Sequence, residues 1–241
     1  MSSEAYNAQT AYHYEAYRPP LHSLILKKSL LKKEFENGLD IGCGTGKSTI
    51  ALKQFCKKTL GMDPSTAMLE KTAPQEGICY EHFDGLSLNK RRNSFDIITL
   101  AGSWWYGKSQ QLLQEIFNVG TSDAVVLLYD FEVLFNSIYR KLGLEQSTQI
   151  NDYDHFVDFT GLNTEGFRLV SKVSDKIRLN VTAEELAHLI CSENEIFREL
   201  QRKYDTSRPF KKFVHELQEN ASENGIGLLV NTFGTSYKII K

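Results

Sequence analysis

Leu39-Asp40-Ile41-Gly42-Cys43-Gly44-Thr45-Gly46-Lys47-Ser48 is the stretch that decides the fold of this chain. Gly38 to Ile41 reads as a short buried strand. Three glycines at alternate positions follow it, and a helical segment from about Ser48 to Cys56 starts beyond them. Glycines between a strand and a helix let the backbone turn tightly and come close to a ligand. Three of them at this spacing exceed what a plain turn needs.

Two phosphate-binding patterns compete for the loop. Gly46-Lys47-Ser48 ends like a Walker motif, but GxxxxGK[ST] needs glycine at the position where Ile41 stands. The dinucleotide pattern GxGxxG, begun at Gly42, is met at Gly44 and fails at Lys47. Begun at Gly44, it is met at Gly46 and fails at Thr49.

Outward from the loop, strand-like and helix-like segments alternate. Leu21, Leu24, Ile25, Leu31 and Phe35 recur at helical spacing before it, with Lys27, Lys28, Lys32 and Lys33 on a solvated face. After it come strands at Lys58 to Met62, Ile78 to Glu81, Phe95 to Leu100 and Ala124 to Tyr129. Pro64-Ser65 opens one intervening helix, and Gln110 to Val119 forms another. Such alternation predicts a parallel sheet covered by helices. Asp63 lies 21 residues after Gly42 and Asp84 another 21 on, the interval at which a βαβ unit returns an acid to a ribose.

Past Tyr129 the rhythm breaks. Phe131 to Gly166 is mixed, Gly166 to Val181 has strand character, and Thr182 opens a helical stretch to about Asn220, interrupted near Arg208-Pro209. Gly227 to Val230 and Ser236 to Ile240 close the chain as a last strand or hairpin. Asp152, Asp154, His155 and Asp158 read as a solvated helix start rather than a metal site, so no metal is expected.

The 241 residues are 41% hydrophobic and 24% charged, which excludes a disordered or collagen-like chain. A formal net charge of −2 provides no basic field for nucleic acid. The longest uncharged stretches, Ile97 to Gly107 and Gly225 to Tyr237, are shorter than the roughly 18 apolar residues of a membrane span. No signal peptide is read at the start. Cys43, Cys56, Cys79 and Cys191 lack CxxC spacing, so reduced thiols in a cytoplasmic protein are expected.

Leu39 to Gly46 closely resembles the first motif of the class I S-adenosylmethionine-dependent methyltransferases, an acid followed by GxGxG. Gly61-Met62-Asp63-Pro64-Ser65 resembles the second motif, whose acid at a strand end holds the ribose hydroxyls. His82-Phe83-Asp84-Gly85 resembles the segment that meets the adenine, with Gly85 where many relatives carry alanine and then an acid. Phe95-Asp96-Ile97-Ile98 and Leu100-Ala101-Gly102 resemble the fourth-strand motif. Within the family, the likeness is to the type 11 and trans-aconitate methyltransferase-like group of small-molecule enzymes. The stretch Tyr12 to Pro20 is similar to their tyrosine-rich approach ending in Tyr-Arg-Pro.

The resemblance implies an α/β fold with a Rossmann-like, mostly parallel sheet and an antiparallel last strand. Helices cover both faces, with cap helices added. It implies one methyltransferase domain over 1–241: an N-terminal helical or lid segment (1–36), a cofactor-binding core (37–130) and a C-terminal part with a helical cap and closing strands (131–241). S-adenosylmethionine is the implied cofactor, and Arg18, Asp40, Gly42, Gly44, Met62, Asp63, Asp84, Gly85 and Leu100 are its implied binding set. Asp63 accepts from the ribose, Arg18 pairs with the methionine carboxylate, and Asp40 orients the loop or meets the ammonium through water. Gly42 and Gly44 admit the ligand against bare backbone.

The implied activity is in-line methyl transfer to a small-molecule acceptor. Alignment supplies much of the acceleration, and no general base is assigned. The alternative is a non-catalytic protein that binds S-adenosylmethionine or acts as a scaffold. Tyr14, Tyr17, Trp104 and Trp105 are substrate-side candidates. The Tyr6 to Arg18 segment, the Trp104-Trp105 loop and the Thr182 to Asn220 stretch are the expected walls of the acceptor cavity.

Overall fold

The computed structural model describes residues 12–13, 16–30, 34–85, 87–88, 92–144, 152–222 and 225–241. Seven strands form one sheet: β1 (Phe35–Ile41), β2 (Cys56–Asp63), β3 (Ile78–His82), β4 (Phe95–Ala101), β5 (Gly120–Val133), β6 (Phe167–Val181) and β7 (Ile226–Ile239). Their order is β3-β2-β1-β4-β5-β7-β6. The β1–β2, β2–β3, β1–β4 and β4–β5 pairs are parallel, and the sheet as a whole is mostly parallel with one antiparallel strand. The order runs outward from β1 in both directions, so the glycine loop leaves the sheet where the strand order reverses. Open α/β sheets bind ligands at that crevice.

Helices surround the sheet: α1 (Leu21–Ser29), α2 (Lys47–Lys53), α3 (Thr66–Leu69), α4 (Trp104–Gly107), α5 (Gln110–Val119), α6 (Asn136–Leu142), α7 (Ala183–Cys191), α8 (Asn194–Tyr204) and α9 (Phe210–Glu219). Two compact units emerge from the packing. The first takes the described residues within Met1–Pro19, Val133–Asn151 and Lys176–Asn231. The second takes those within Pro20–Glu132, Asp152–Asp175 and Thr232–Lys241.

The second unit holds β1 to β4, and α2 packs against β1 and β2. Its core is built from strand residues that face helices, among them Leu39, Ile41, Leu60, Ile98, Leu100, Val126 and Leu128. The α5 stripe Leu112, Leu113, Ile116 and Val119 closes over them, and the Ser109 hydroxyl caps that helix by accepting the Leu112 N–H at 3.2 Å. In the first unit, α7 packs on α8 and α9. Thr182 and Glu185 start α7 with a reciprocal capping box.

Several boundaries depart from expectation. Phe35 begins β1 rather than ending the first helix, and Cys56 begins β2 rather than ending α2. Both are buried and face the core as strand residues, which a helical count of apolar positions does not distinguish. Of the two endings expected, a last strand or a hairpin, the chain takes the single strand β7. No helix follows Asn151: residues 152–166 are turns and bends, in which Asp154 and Asp158 each accept the backbone N–H two residues on.

Candidate functional site

Gly42, Gly44 and Gly46 all take positive φ, at 72°, 54° and 84°. Only glycine adopts that backbone without strain. Their surroundings differ. A Cβ on Gly42 would stand 2.3 Å from the Ser103 Cβ, and one on Gly46 would stand 2.4 Å from the Tyr80 hydroxyl. A Cβ on Gly44 would meet no described atom within 4 Å, and the same holds at Gly85 (φ +84°). Gly42 and Gly46 are therefore glycine to let neighbours pack, whereas Gly44 and Gly85 border open space.

The loop is held from below. The Met62 carbonyl accepts the Gly42 and Cys43 N–H groups at 2.7 and 3.1 Å. The Ser103 hydroxyl donates to the Ile41 carbonyl at 2.5 Å. Asp40 is fully buried and accepts from the hydroxyls of Ser48 (2.5 Å), Thr49 (2.7 Å) and Thr99 (3.0 Å). Burial pushes its carboxyl up, and those three hydroxyls oppose the shift. Asp40 thus ties the end of β1 to the first turn of α2.

Asp63 ends β2 beside the loop. One carboxylate oxygen accepts the Gly44 N–H and the other the Ser65 N–H, each at 2.8 Å. A carboxylate has about four lone-pair sites, so acceptor capacity remains. Asp84 is exposed and accepts the Ser87 N–H at 2.8 Å. Leu100 is buried in the core of β4.

The donor set fits the ribose of a nucleoside. An open glycine cradle stands beside a carboxylate that is aimed at it and only partly used, the arrangement that accepts paired ribose hydroxyls. Asp40, by contrast, spends its oxygens on three hydroxyls below the loop.

The other expected site residues lie as follows. Arg18 belongs to the first unit, where it reaches the Ser192 hydroxyl at 3.5 Å and holds down the carboxyl of Glu193, which burial pushes up. Tyr17 is half-buried in the same unit, its hydroxyl shifted up by burial and by Glu185. Tyr6 and Tyr14 lie outside the described residues. Trp104 is a core residue: its indole N–H donates to the Asp158 carbonyl at 3.0 Å and its ring meets Phe159 edge-on. Trp105 is 38% exposed and lies against Tyr153.

Sequence reasoning missed Ser103 and Tyr80, the residues that fill the space at Gly42 and Gly46. It also missed Asp130, where Tyr153 and His155 converge. An acid directly after the buried run Ala124 to Tyr129 was the available signal. Among the described residues, no cluster of three or more His, Cys, Asp or Glu side chains forms a metal site. All four cysteines are free, and no described helix is long and apolar enough to cross a membrane.

Comparison with known proteins converges on one chemistry. A family model described as "Methyltransferase domain", of the type 11 group, matches residues 39–128. The chain is 28% identical over 231 residues to a Saccharomyces cerevisiae protein described as "Probable S-adenosylmethionine-dependent methyltransferase CRG1", covering 84% of this chain and 76% of that one. It is 29% identical over 160 residues to the demethylmenaquinone methyltransferase of Lactobacillus johnsonii, covering 62% of this chain and 64% of that one. Its fold is similar to that of an Anaeromyxobacter dehalogenans protein described as a "Putative Type II Methyltransferase". That match has a TM-score of 0.58 at 13% identity and covers 93% of this chain and 98% of the other. The glycine loop and Asp63 fall inside the matched family segment, and the chain has the class I methyltransferase fold and is similar in sequence to S-adenosylmethionine-dependent methyltransferases.

Proposed function

We propose that the chain methylates a small-molecule acceptor, with S-adenosylmethionine seated across the Gly44 cradle and its ribose on Asp63. The observation that carries this reading is the Asp63 carboxylate. It is anchored to the Gly44 N–H at 2.8 Å and keeps further lone pairs for two hydroxyls. S-adenosylmethionine supplies a methyl group already activated by a sulfonium. The chain's own residues therefore bind, align and exclude water.

In this reading Gly42, Met62 and Asp40 shape the loop from below, Met62 through its carbonyl and Asp40 through Ser48 and Thr49. Gly85 and Asp84 flank the adenine, and Leu100 backs it from β4. Trp105, with its exposed ring, is the better substrate-side tryptophan, because Trp104 is spent in the core. The demethylmenaquinone methyltransferase relative carries a small-molecule acceptor in its name. The near-neutral charge of this chain gives nucleic acid no overall basic field, and reduced cysteines fit a cytoplasmic location.

Isothermal calorimetry with S-adenosylhomocysteine, ATP and NAD tests the reading. Heat from adenosylhomocysteine with none from the other two at the same concentration is expected. Tight ATP binding without adenosylhomocysteine heat overturns it.

A further inference from the structure

Beside the carboxyl end of β4, on the last residues of β5 and the 152–166 segment, lies a cluster of ionisable side chains that the cofactor reading above does not use. The Asp130 Oδ2 lies 2.9 Å from His155 Nδ1 and 2.8 Å from the Tyr153 hydroxyl. That hydroxyl is also 2.8 Å from the Gly102 carbonyl. Gly102 precedes Ser103, whose side chain fills the space at Gly42 and donates to the Ile41 carbonyl. A continuous run of contacts inside the second unit therefore joins the glycine loop to Asp130 and His155.

The geometry assigns the imidazole. A carboxylate only accepts, so Nδ1 carries the proton it shares with Asp130, and in the neutral ring the lone pair is then on Nε2. The ring is stacked on Phe233 (centroids 5.6 Å apart, planes 15°) and crossed by Tyr153 (4.7 Å, 76°). Its side chain keeps 30% of its surface in solvent, against 16% for Asp130. The imidazole is held by its neighbours and still partly open to solvent.

The surrounding charges choose the partner. Tyr106 lies against Tyr153, and Asp154 sits on the same turn as His155. Lys172 lies over the Phe156 ring at 4.6 Å and is paired to Asp158 at 2.7 Å. The small cavity between Leu100, Gly102, Trp104, Asp130, Tyr153 and His155 has a volume of about 10 Å³, room for one group the size of water or hydroxyl. Its lining contains one carboxylate and neither Lys nor Arg. A carboxylate acceptor brings no proton and meets Asp130. A neutral hydroxyl brings a proton and meets a base.

We propose that His155 Nε2 is the general base for a neutral hydroxyl acceptor, an alcohol, phenol or enol, with Asp130 and Tyr153 as its positioning residues. The proposal rests on the methyltransferase reading above. The acceptor oxygen forms its bond to the methyl carbon, the carbon–sulfur pair returns to sulfur, and the hydroxyl proton passes to Nε2. From the exposed edge of the ring that proton leaves to water. Orientation by a carboxylate and proton transfer by the opposite nitrogen are the usual division of labour in such dyads.

Nitrogen-15 NMR of the histidine-labelled full chain tests this without knowing the acceptor, with His155→Gln assigning the signal. At neutral pH the Nδ1–H, Nε2-bare tautomer is expected. It should be lost in Asp130→Asn and retained but less populated in Tyr153→Phe, which keeps the proposal testable if the first variant fails to fold. Sinefungin carries an amine-bearing carbon in place of the methyl-bearing sulfur, so that its amine stands where the methyl would, and it is expected to shift Nε2 more than S-adenosylhomocysteine does. If both ligands bind by calorimetry and neither moves Nε2, or if the imidazole is Nε2–H or doubly protonated at neutral pH, the base assignment is overturned alone. If neither ligand binds, the methyltransferase reading falls and takes the proposal with it.

Discussion

Asp40 accepts a hydrogen bond from Ser48 at 2.5 Å, closing the end of β1 onto the first turn of α2. This pairing accounts for a sequence that imitates a P-loop. In a P-loop the hydroxyl after Gly-Lys goes to a metal ion. Here it points down into the protein, where it and Thr49 solvate a buried carboxylate.

Ser48→Ala therefore acts on the loop's support. Losing one donor to a buried charge is expected to cost about 1–3 kcal/mol of stability, measured as a lower urea midpoint. Affinity for S-adenosylhomocysteine should fall less than in the Asp63 variant below. An unchanged midpoint would mean that Thr49 and Thr99 alone satisfy Asp40.

Asp63→Ala removes the carboxylate that holds the Gly44 and Ser65 N–H groups. A folded variant should bind S-adenosylhomocysteine more weakly by about 1.5–3 kcal/mol, the range for hydrogen bonds to a charged group. Asp63→Asn keeps one acceptor and should fall between the two. Calorimetry that shows equal affinity for all three proteins would leave Asp63 as a turn residue only.

Gly42 and Gly44 separate packing from ligand space. Gly44→Ala costs roughly 1–2 kcal/mol of left-handed strain and meets no described atom, so it should fold. Its new methyl projects into the open space beside Asp63, and cofactor affinity should drop. Gly42→Ala adds a collision with Ser103 to the same strain, and overpacking costs about 1–3 kcal/mol more. That variant should lose stability first. Thermal unfolding and adenosylhomocysteine titration of the pair should give opposite orders of damage.

The β1-loop-α2 unit and the acid that ends β2 were legible because each rests on local chemistry: positive-φ glycines, a buried strand and an acid at its end. Residues that complete the site from a distance were not. Ser103 reaches Ile41 across 62 positions and Tyr153 reaches Asp130 across 23, and spacing alone carries no signal for such pairs. Phe35 and Cys56 were misplaced because a buried apolar residue next to a helix pattern extends that pattern. The true boundary is set by parallel pairing of Phe35 with Cys56. The edge strand β6 was visible only as strand character, since its exposed residues lack a clean alternation.

The adjacent tryptophans should behave as different residues. Trp104→Ala removes a core ring and the donor to the Asp158 carbonyl, at a cost of about 3–5 kcal/mol. Trp105→Ala, with an exposed ring, should leave the urea midpoint within about 0.5 kcal/mol of the parent. Equal destabilisation of the two would contradict the burial that separates them.

Acid sensitivity should come in two windows with different owners. Burial, with Lys47 adding to it, pushes the His22 imidazole down to about 4, and burial with His188 does the same to His13. His188 is lowered as well, by burial. Unfolded histidine titrates near 6.5, so between about 6.5 and 4 the unfolded chain holds more protons than the folded one, and stability falls as pH drops through that window. Above it the histidines are neutral in both states and contribute no slope. Asp158 behaves otherwise: burial pushes its carboxyl up, but Lys172 and Thr160 overcome this and hold it at about 2. Its contribution is intact above about 4 and disappears as pH falls toward 2. His22→Gln keeps a partner for the Tyr129 hydroxyl, 3.1 Å from His22 Nδ1, without a titrating ring. Urea midpoints between pH about 7 and 5 should therefore decline less steeply in His22→Gln than in the parent, while Asp158→Asn should run below and parallel to the parent there and converge on it only below about 4. Parallel curves for His22→Gln and the parent from 7 to 5 would show that the ring gains its proton without resistance from the fold.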